Sequence, residues 1–594
     1  MDRQQIIGFA LIFLVLVVWM LMNSPGTKQP SPQQTPPQTH LVDTVRQQPT
    51  KTKEQAEKTK QTPEEQYGKF FKARSSGVEK TIEIETDLII ARITSKGGLL
   101  KSWELKKFKT WDGHPVQLVS NDTTGDYSLL FISSDGKKIT TRDLYFDLPA
   151  GTPEKIRIEA DQEYALTLTL PSSNGGSLVK SLVFKNNEYG FNTAFQFTNL
   201  AEVVSFGYQV VWEGGLRYAE QNSIDESNFA AAYAYTGKEL TEIDATDFTD
   251  EHKKELAGSV DWVAARSKYF AVAIIPEAGK SEGAYLEGAR IHLAENDERE
   301  SYAISLSMPF NAEQQETQRF RTFLGPVDIG LLRSYNVGLE NIMSLGWAWI
   351  VRPIAEYVML PTITVLHYVI PNWGLVIIVF TVLVKIALHP LTKTSMRSMK
   401  RMQALQPMMD EIKEKHKDDP QKMNAAVMNL YRDYGVNPAG GCLPVLLQFP
   451  ILIALYNVFR GAIELRQASF FWWIKDLSVP DIIASLPFTI PLFGVKEVSG
   501  LALLMGITMF VQQKMSVKDP RQKAMVWIMP IVFTLLFNSF PSGLNLYYFI
   551  FNVLSIGQQM YINKQHDDEP LRKVDQKKKR GGIFGKLNLP KLPK

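Results

Sequence analysis

Two periodicities and two apolar zones divide the 594-residue chain. Residues 6–22 form an unbroken apolar run of 17 after Arg3, long enough to cross a bilayer near the short limit for such segments. The residues that follow, Asn23, Ser24 and Pro25, offer no clear small-residue cleavage site. Residues 1–22 therefore read as an uncleaved anchor, with a cleaved signal peptide as the rival. Residues 23–66 are rich in Pro, Gln, Thr and Lys and nearly lack large apolar side chains. Such a stretch buries too little surface to offset ordering entropy, so a disordered tether is expected.

From about residue 78 to 323 the period is two. Ile82, Ile84, Thr86, Leu88 and Ile90 alternate with polar neighbours, as do Leu166, Leu168 and Leu170, and Leu182, Phe184, Phe191 and Phe195. Turn formers punctuate them at Lys96-Gly97-Gly98, Asn121-Asp122, Ser173-Asn174-Gly175-Gly176 and Asn186-Asn187. This pattern predicts a large antiparallel β-sandwich over 67–335, held by its apolar core alone.

After about residue 340 apolar residues pile up again, and five spans can be drawn at about 370–390, 441–459, 499–513, 524–541 and 543–562. The third is short for a hydrocarbon core of ~30 Å at ~1.5 Å per residue, which suggests a locally thinned bilayer or helices not all surrounded by lipid. The stretch 347–369 has span-like hydropathy but contains Arg352, Glu356 and His367 with Pro353 and Pro361. Charge decides its place. The loop 392–437 carries nine Lys/Arg, the loop 514–523 carries Lys514, Lys518, Arg521 and Lys523, and the tail carries Lys577-Lys578-Lys579-Arg580. All three fall on the cytoplasmic side, by the excess of positive residues there, only if 347–369 does not cross. The expected fold is thus a membrane α-helical bundle of six transmembrane helices plus a large extracytoplasmic β-sandwich between the first two. Residues 336–369 hold an interfacial amphipathic helix, 370–562 the helical core with a cytoplasmic hairpin at 392–437, and 563–594 a basic cytoplasmic tail. Both termini are expected in the cytoplasm.

Composition averages conceal this arrangement: 65 Lys+Arg against 62 Asp+Glu, a net charge of +3 and 21% charged residues would suit a soluble protein. The lone Cys442 excludes an intramolecular disulfide and a cysteine-based metal framework. The eight histidines are scattered, and no phosphate loop, dinucleotide fingerprint or nucleophile elbow occurs. No cofactor or metal is expected.

The informative residues are polar groups inside apolar spans. Lys385 lies 12 residues after Trp373, about 18 Å into the core. A lysine there costs roughly 2.5–3.5 kcal/mol on insertion scales, so it faces protein or water unless it snorkels to the headgroups. Thr381 and His389, four residues before and after it, extend a polar stripe along the same face. Gln448, Asn457, Gln512, Gln513, Asn538, Asn545, Asn552, Gln558 and Gln559 sit in other spans. They could line a shared wet cavity or serve as hydrogen-bonded glue between helices. The loop 392–437 reads as two helices broken near Lys417-Asp418-Asp419-Pro420 and holds seven methionines, among them Met399, Met402, Met408 and Met409. Methionine suits a surface that accepts varied apolar partners, and equally the packed seam of a hairpin. The basic tail fits RNA, acidic protein or anionic lipid, or topology fixing alone.

The order and spacing of several segments carry a further signal: Asn372-Trp373-Gly374, His389-Pro390-Leu391-Thr392, Leu405-Gln406-Pro407, Asn437-Pro438-Ala439-Gly440-Gly441-Cys442, Gln448-Phe449-Pro450-Ile451, Glu464-Leu465-Arg466-Gln467-Ala468 and Phe540-Pro541-Ser542-Gly543-Leu544. Over essentially its whole length the chain resembles the YidC membrane protein insertases of Gram-negative bacteria, relatives of the Oxa-type and Alb-type insertases of mitochondria and chloroplasts. The resemblance implies a conserved five-helix core around a hydrophilic groove, open to cytoplasm and lipid and closed outside. It also implies a periplasmic supersandwich similar to mutarotase domains. The family's groove arginine falls at Lys385, its substrate-contacting threonine at Thr381 and its last-span tyrosine at Tyr548, with Gln448 groove-facing. Lysine keeps the charge but not the bidentate fork of arginine. Asn545 and Gln512 are expected to join the groove, and Met399, Met402, Met408 and Met409 to meet substrate or partners. Implied partners are nascent inner-membrane proteins, the Sec translocase, the ribosome through the tail and cytoplasmic loops, and the lipid bilayer. Two other classes stay open on the residues alone: an intramembrane enzyme using Ser542 and His389, and a glycan-binding envelope protein acting through its β-domain.

Overall fold

The computed structural model describes residues 63–565, apart from 121–123, 249–251, 278–279, 294–296, 418, 437–442, 491–492 and 517–522. The expected anchor, almost all of the tether, the segment 437–442 and nearly all of the tail lie outside the described residues. The chain divides into two compact units, one ending at Met343 and the other resuming at Ser344.

The first unit is a β-sandwich. Nine-residue strands such as Glu163–Pro171 and Gly190–Thr198 alternate buried and more exposed positions, most regularly Ser177–Lys185, because successive side chains leave opposite faces. An eight-stranded sheet runs 239–243, 231–236, 262–266, 270–276, 315–326, 190–198, 177–185, 163–171 in spatial order. A six-stranded sheet runs 252–257, 283–292, 298–309, 204–212, 128–133, 138–140, and a five-stranded sheet 115–117, 100–109, 89–94, 81–85, 155–157. Pairing between described strands is antiparallel except for Thr81–Glu85 against Lys155–Arg157. Leu166, Leu168, Leu170, Leu182, Phe184, Phe191 and Phe195 are all buried, with Trp103, Trp212 and Trp262 among the largest enclosed side chains. At Gly97 and Gly98 both φ angles are positive, +73° and +58°, a left-handed turn that glycine enters without a Cβ clash.

One stretch departs from the simple alternation. Residues 82–90 are two antiparallel strands, not one: Glu85 pairs with Ile90, and the Thr86 hydroxyl accepts from the amides of Leu88 and Ile89 to hold the turn. Ile89 is buried and Ile90 is not. Apolar residues on both sides of a side-chain-stabilised turn preserve a period of two in sequence while the chain reverses.

This unit also encloses charge. Lys180 is buried and donates to the carbonyls of Gly98 and Tyr127 at 2.8 and 2.7 Å; burial pushes its ammonium down to about 7. Burial pushes Asp126 up to about 6 and Glu226 and Glu300 up to about 8. Asp126 is held by the amides of Tyr127, Glu213 and Gly214, which keeps a buried carboxyl satisfied.

The second unit is helical. Val351–Pro353 and a π-helical stretch, Ile354–Met359, lead into α1, Leu360–Val369. Arg352 pairs with Glu356 one turn on at 2.9 Å, while Tyr357, Val365 and Tyr368 are exposed. Helical structure within 336–369 thus starts later than 336, because residues 336–350 form only a short 3-10 turn and loop.

Asn372 caps α2, Trp373–Ala404, its side chain accepting from Leu375 N at 3.1 Å. This helix does not stop near residue 390 as drawn from sequence. It continues through Pro390 for 32 residues, about 48 Å. A proline inside a helix removes one hydrogen bond without ending the helix when neighbours support it. The region 392–437 therefore consists of the end of α2, then α3, Gln406–Lys415, and α4, Pro420–Asp433. The break between α3 and α4 falls at the expected place, where the Asp419 carboxylate accepts from Lys422 N and Pro420 takes the first helical position.

Four more helices follow among the described residues, α5, Leu443–Gly461, α6, Gly500–Ser516, α7, Lys523–Phe537, and α8, Ser542–Gln565, with a two-stranded sheet between α5 and α6. At 17 residues, α6 spans about 25 Å. Among the described residues, α2 alone is both long and apolar enough to cross a bilayer, and Val526–Phe537 is apolar but shorter.

Candidate functional site

The seam between α2 and α8 gathers the chemistry. Phe380 meets Tyr547, with ring centroids 6.4 Å apart. Lys385 meets Ser555, and His389 Nδ1 meets Gln558 Nε2 at 3.1 Å. Residue numbers rise together on both sides, so the two helices run parallel. On α8 the participating positions 547, 551, 555 and 558 share one face, as spacings of four and three require.

Lys385 is only 8% exposed. Its ammonium donates to Ser555 Oγ at 2.6 Å and sits 4.3 Å from the centroid of the Phe551 ring. The Ser555 hydroxyl donates in turn to Phe551 O. No carboxylate pairs with Lys385 among the described residues. The side chain therefore does not snorkel away from the bundle: it turns inward and is met by one hydroxyl and one aromatic face. A cation so placed lacks a counter-ion, and a passing carboxylate would gain strongly from it. Thr381 is fully buried one turn earlier, its hydroxyl donating to Ile377 O. Further along α2, Thr392 accepts from Gln558 Nε2 at 3.1 Å.

The other expected groove residues scatter. Gln448 on α5 and Gln512 on α6 are half-buried. Tyr548 is half-buried by area and packs edge-on against Phe537 and Tyr547, at 5.3 and 5.1 Å between ring centroids. Asn545 is fully buried, but ten residues before Ser555, about 15 Å along α8. It belongs to a different cluster, donating to Phe537 O at 3.1 Å and lying 3.5 Å from Ser499 Oγ.

That cluster was not visible in the sequence. Asp481 is buried and accepts from Trp473 Nε1 at 2.8 Å, Ser499 Oγ at 2.5 Å and Leu501 N at 2.8 Å. It caps the start of α6, where unpaired amides favour an anion. Asn538 accepts from Ser499 N and donates to Glu497 O. Asp476 O accepts from Ser542 Oγ at the start of α8. One polar knot thus fastens the same ends of α6 and α8, and α6 and α8 also run parallel, Thr508 facing Asn552 at 3.5 Å. Ser555 was likewise missed; its only sequence signal is its place between Asn552 and Gln559 on one helical face.

In the hairpin, Met409 and Met423 are buried, and Tyr431 donates to the Met409 sulfur at 2.9 Å. Met399, Met402 and Met408 are half-buried, and Met428 is 57% exposed. The methionines thus divide between a packed seam and an accessible face. Gln403 hydrogen-bonds Ser516 O, joining the far ends of α2 and α6.

Ser542 and His389 do not come together. Ser542 lies at the first position of α8 and His389 bonds Gln558, 16 residues later, about 24 Å away along the helix. They form no nucleophile–base pair. Among the described residues no cluster fit for a metal occurs.

The family model described as "60Kd inner membrane protein" matches residues 365–569, and that described as "YidC periplasmic domain" matches residues 81–357. The membrane protein insertase YidC of Chlorobaculum parvum is 39% identical over 574 residues, covering 96% of each chain. That of Pelodictyon phaeoclathratiforme is 39% identical over 571 residues, covering 95% of each. Among solved structures, an active YidC insertase with its first transmembrane domain resolved aligns over 83% of this chain and 94% of its own, at 20% identity and a TM-score of 0.35. With 39% identity over near-complete coverage in both directions, and with both family models matched, the chain belongs to the YidC family of membrane protein insertases.

Proposed function

We propose that this protein is a membrane protein insertase and chaperone that inserts inner-membrane proteins and helps them fold, with no covalent step. The observation that carries the mechanism is the buried Lys385 ammonium, held by Ser555 and Phe551 with no carboxylate partner among the described residues. A nascent membrane protein must move a polar segment across hydrocarbon, where each unsatisfied backbone group costs several kcal/mol. A hydrated groove reaching partway through the bundle shortens that barrier. Lys385 attracts acidic residues of the segment in transit, and Thr381, Gln448, Gln512 and Tyr548 line the route. The short α6 thins the bilayer beside it. The apolar segment then leaves into lipid, which solvates it better than the groove does.

The topology that serves this reading has six spans: residues 6–22, α2, α5, α6, α7 and α8. It places both termini and the 392–437 hairpin in the cytoplasm and the β-sandwich in the periplasm. Met399, Met402 and Met408, which are half-buried, meet client or partner in the cytoplasm; Met409, expected to join them, is packed in the hairpin seam against Tyr431 instead. The Sec translocase and, through the basic tail and loops, the ribosome are the partners that fit. Nothing in this scheme calls for enzyme chemistry.

The test is photocrosslinking to a stalled nascent membrane protein from probes at Gln448, Tyr548 and Lys385, each expected to label its hydrophobic segment. Absence of adducts at all three positions, with the protein folded, contradicts the groove. In parallel, Lys385→Glu should impair a client whose translocated tail is acidic. Unchanged insertion would refute the electrostatic role and leave thinning and hydration as the mechanism.

A further inference from the structure

The link between α5 and α6 contains a feature that the proposed function does not use. Ile482–Ile490 and Val495–Ser499 form an isolated two-stranded antiparallel hairpin. Its long strand, Ile-Ile-Ala-Ser-Leu-Pro-Phe-Thr-Ile, has no charged residue, and its side chains are almost all exposed, Phe488 to 61%. Between the pairs Ser485–Glu497 and Ile490–Val495, four residues face the single Lys496, so Leu486, Pro487, Phe488 and Thr489 stand out as a bulge. Just upstream, Phe471 and Trp472 are exposed, Trp472 to 89%. A two-stranded hairpin whose long strand lies almost wholly uncovered is at best marginally stable in water.

Two observations, taken with the membrane reading of α5 and α6, point to what covers it. The hairpin's root is fixed to α6: Gly500 N donates to Asp481 O and Leu501 N to the Asp481 carboxylate. Trp473 is tied to the same carboxylate, so the aromatic cluster and the hairpin share one anchor. Both flanking helices, α5 and α6, are read above as spans, so the hairpin lies at the membrane surface where they end, continuous with their lipid-facing sides. Tryptophan and phenylalanine beside uncharged aliphatic residues are the composition of a membrane interface. Pro487 and the bulge leave ladder groups unpaired, which hydrocarbon would penalise and headgroup water satisfies.

We propose that this hairpin lies in the outer headgroup layer of the bilayer, with Ile483 and Phe488 toward the acyl chains and Trp472 at the interface, and thereby fixes the depth of α5 and α6. The inference rests on the membrane reading of those helices, not on the insertase mechanism.

The test uses the full chain with Cys442→Ser, reconstituted in vesicles of phosphatidylethanolamine and phosphatidylglycerol. An environment-sensitive fluorophore is attached at Phe488→Cys, with Leu383→Cys on α2 and Val78→Cys in the β-sandwich as references. The label at 488 should be quenched by a nitroxide placed near the lipid headgroup several-fold more than by one near the acyl-chain end, and only weakly by aqueous iodide. Strong iodide quenching without lipid quenching would overturn the proposal. Shielding from both quenchers would overturn it too, and would assign the hairpin to a protein partner. If the label at 383 also escapes lipid quenchers, the membrane reading itself fails, which separates the two outcomes.

Discussion

The Lys385 ammonium rests on the Ser555 hydroxyl at 2.6 Å, across the seam of two parallel helices, with no carboxylate among the described residues to neutralise it. Burying a cation this way opposes stability, and a mid-membrane lysine costs roughly 2.5–3.5 kcal/mol. Lys385→Met should therefore leave resistance to thermal unfolding in detergent unchanged or raised. Insertion of a client with an acidic translocated segment into proteoliposomes should fall several-fold. Full insertion by Lys385→Met would show that the charge has no role.

Asp481 accepts three hydrogen bonds at the start of α6. Asp481→Ala should cost about 1–3 kcal/mol, since it leaves buried donors unmet. Asp481→Asn, which keeps one acceptor oxygen, should cost less. Proteolysis of the 462–499 link across a temperature series reads the difference.

At Gly506 α6 and α7 approach closely: a Cβ placed there would lie 1.9 Å from Thr534 Oγ1. Small residues at such crossings let helices pack in lipid. Gly506→Ala should destabilise the bundle by roughly 1–3 kcal/mol. Adding Thr534→Ala removes the clashing atom and should restore most of the loss, measured as a double-mutant cycle on thermal unfolding.

The hairpin methionines should separate by burial. Met409→Ala removes a side chain packed against Tyr431 and should loosen α3 from α4, at about 2–5 kcal/mol for a buried methionine. Met399→Ser with Met402→Ser and Met408→Ser should lower client crosslinking while hydrogen exchange of the hairpin changes little.

The β-sandwich should respond to pH through its enclosed charges. Asp126, Glu226 and Glu300 keep protons in the folded state, up to about 6, 8 and 8, that the unfolded chain has already released. Stability therefore falls as pH rises from about 4 towards 8. Lys180 acts in the other direction: folded, it loses its proton near 7, so its contribution rises with pH between about 7 and 10.5. Urea midpoints of the β-sandwich in the full chain, read by proteolysis, should be higher at about pH 5 than at about pH 8. Glu300→Gln should shrink that difference.

Much of this was legible residue by residue. Leu166, Leu168, Leu170, Leu182 and Phe184 fall at alternate positions in the sequence and are buried, because successive strand side chains leave opposite faces and the apolar set takes the core face. Lys385 stood out because a charge amid apolar residues is rare whatever its neighbours. The reversal at Thr86 was hidden, since a turn made by one hydroxyl leaves the apolar pattern intact. The run of α2 through Pro390 was hidden too, since proline marks a missing hydrogen bond and not the support that compensates it.

By itself the sequence determined which segments must be hidden from water, where the basic loops lie and that one ammonium sits deep among apolar residues, because these depend on local composition and spacing. Only the tertiary structure decided that Ser555 and Phe551 receive this ammonium. It also decided that Asn545 joins Asp481 and Ser499 instead, and that the methionines split between seam and surface. Those partners lie as many as 170 residues apart, and their meeting depends on how helices align in register, which no local pattern encodes.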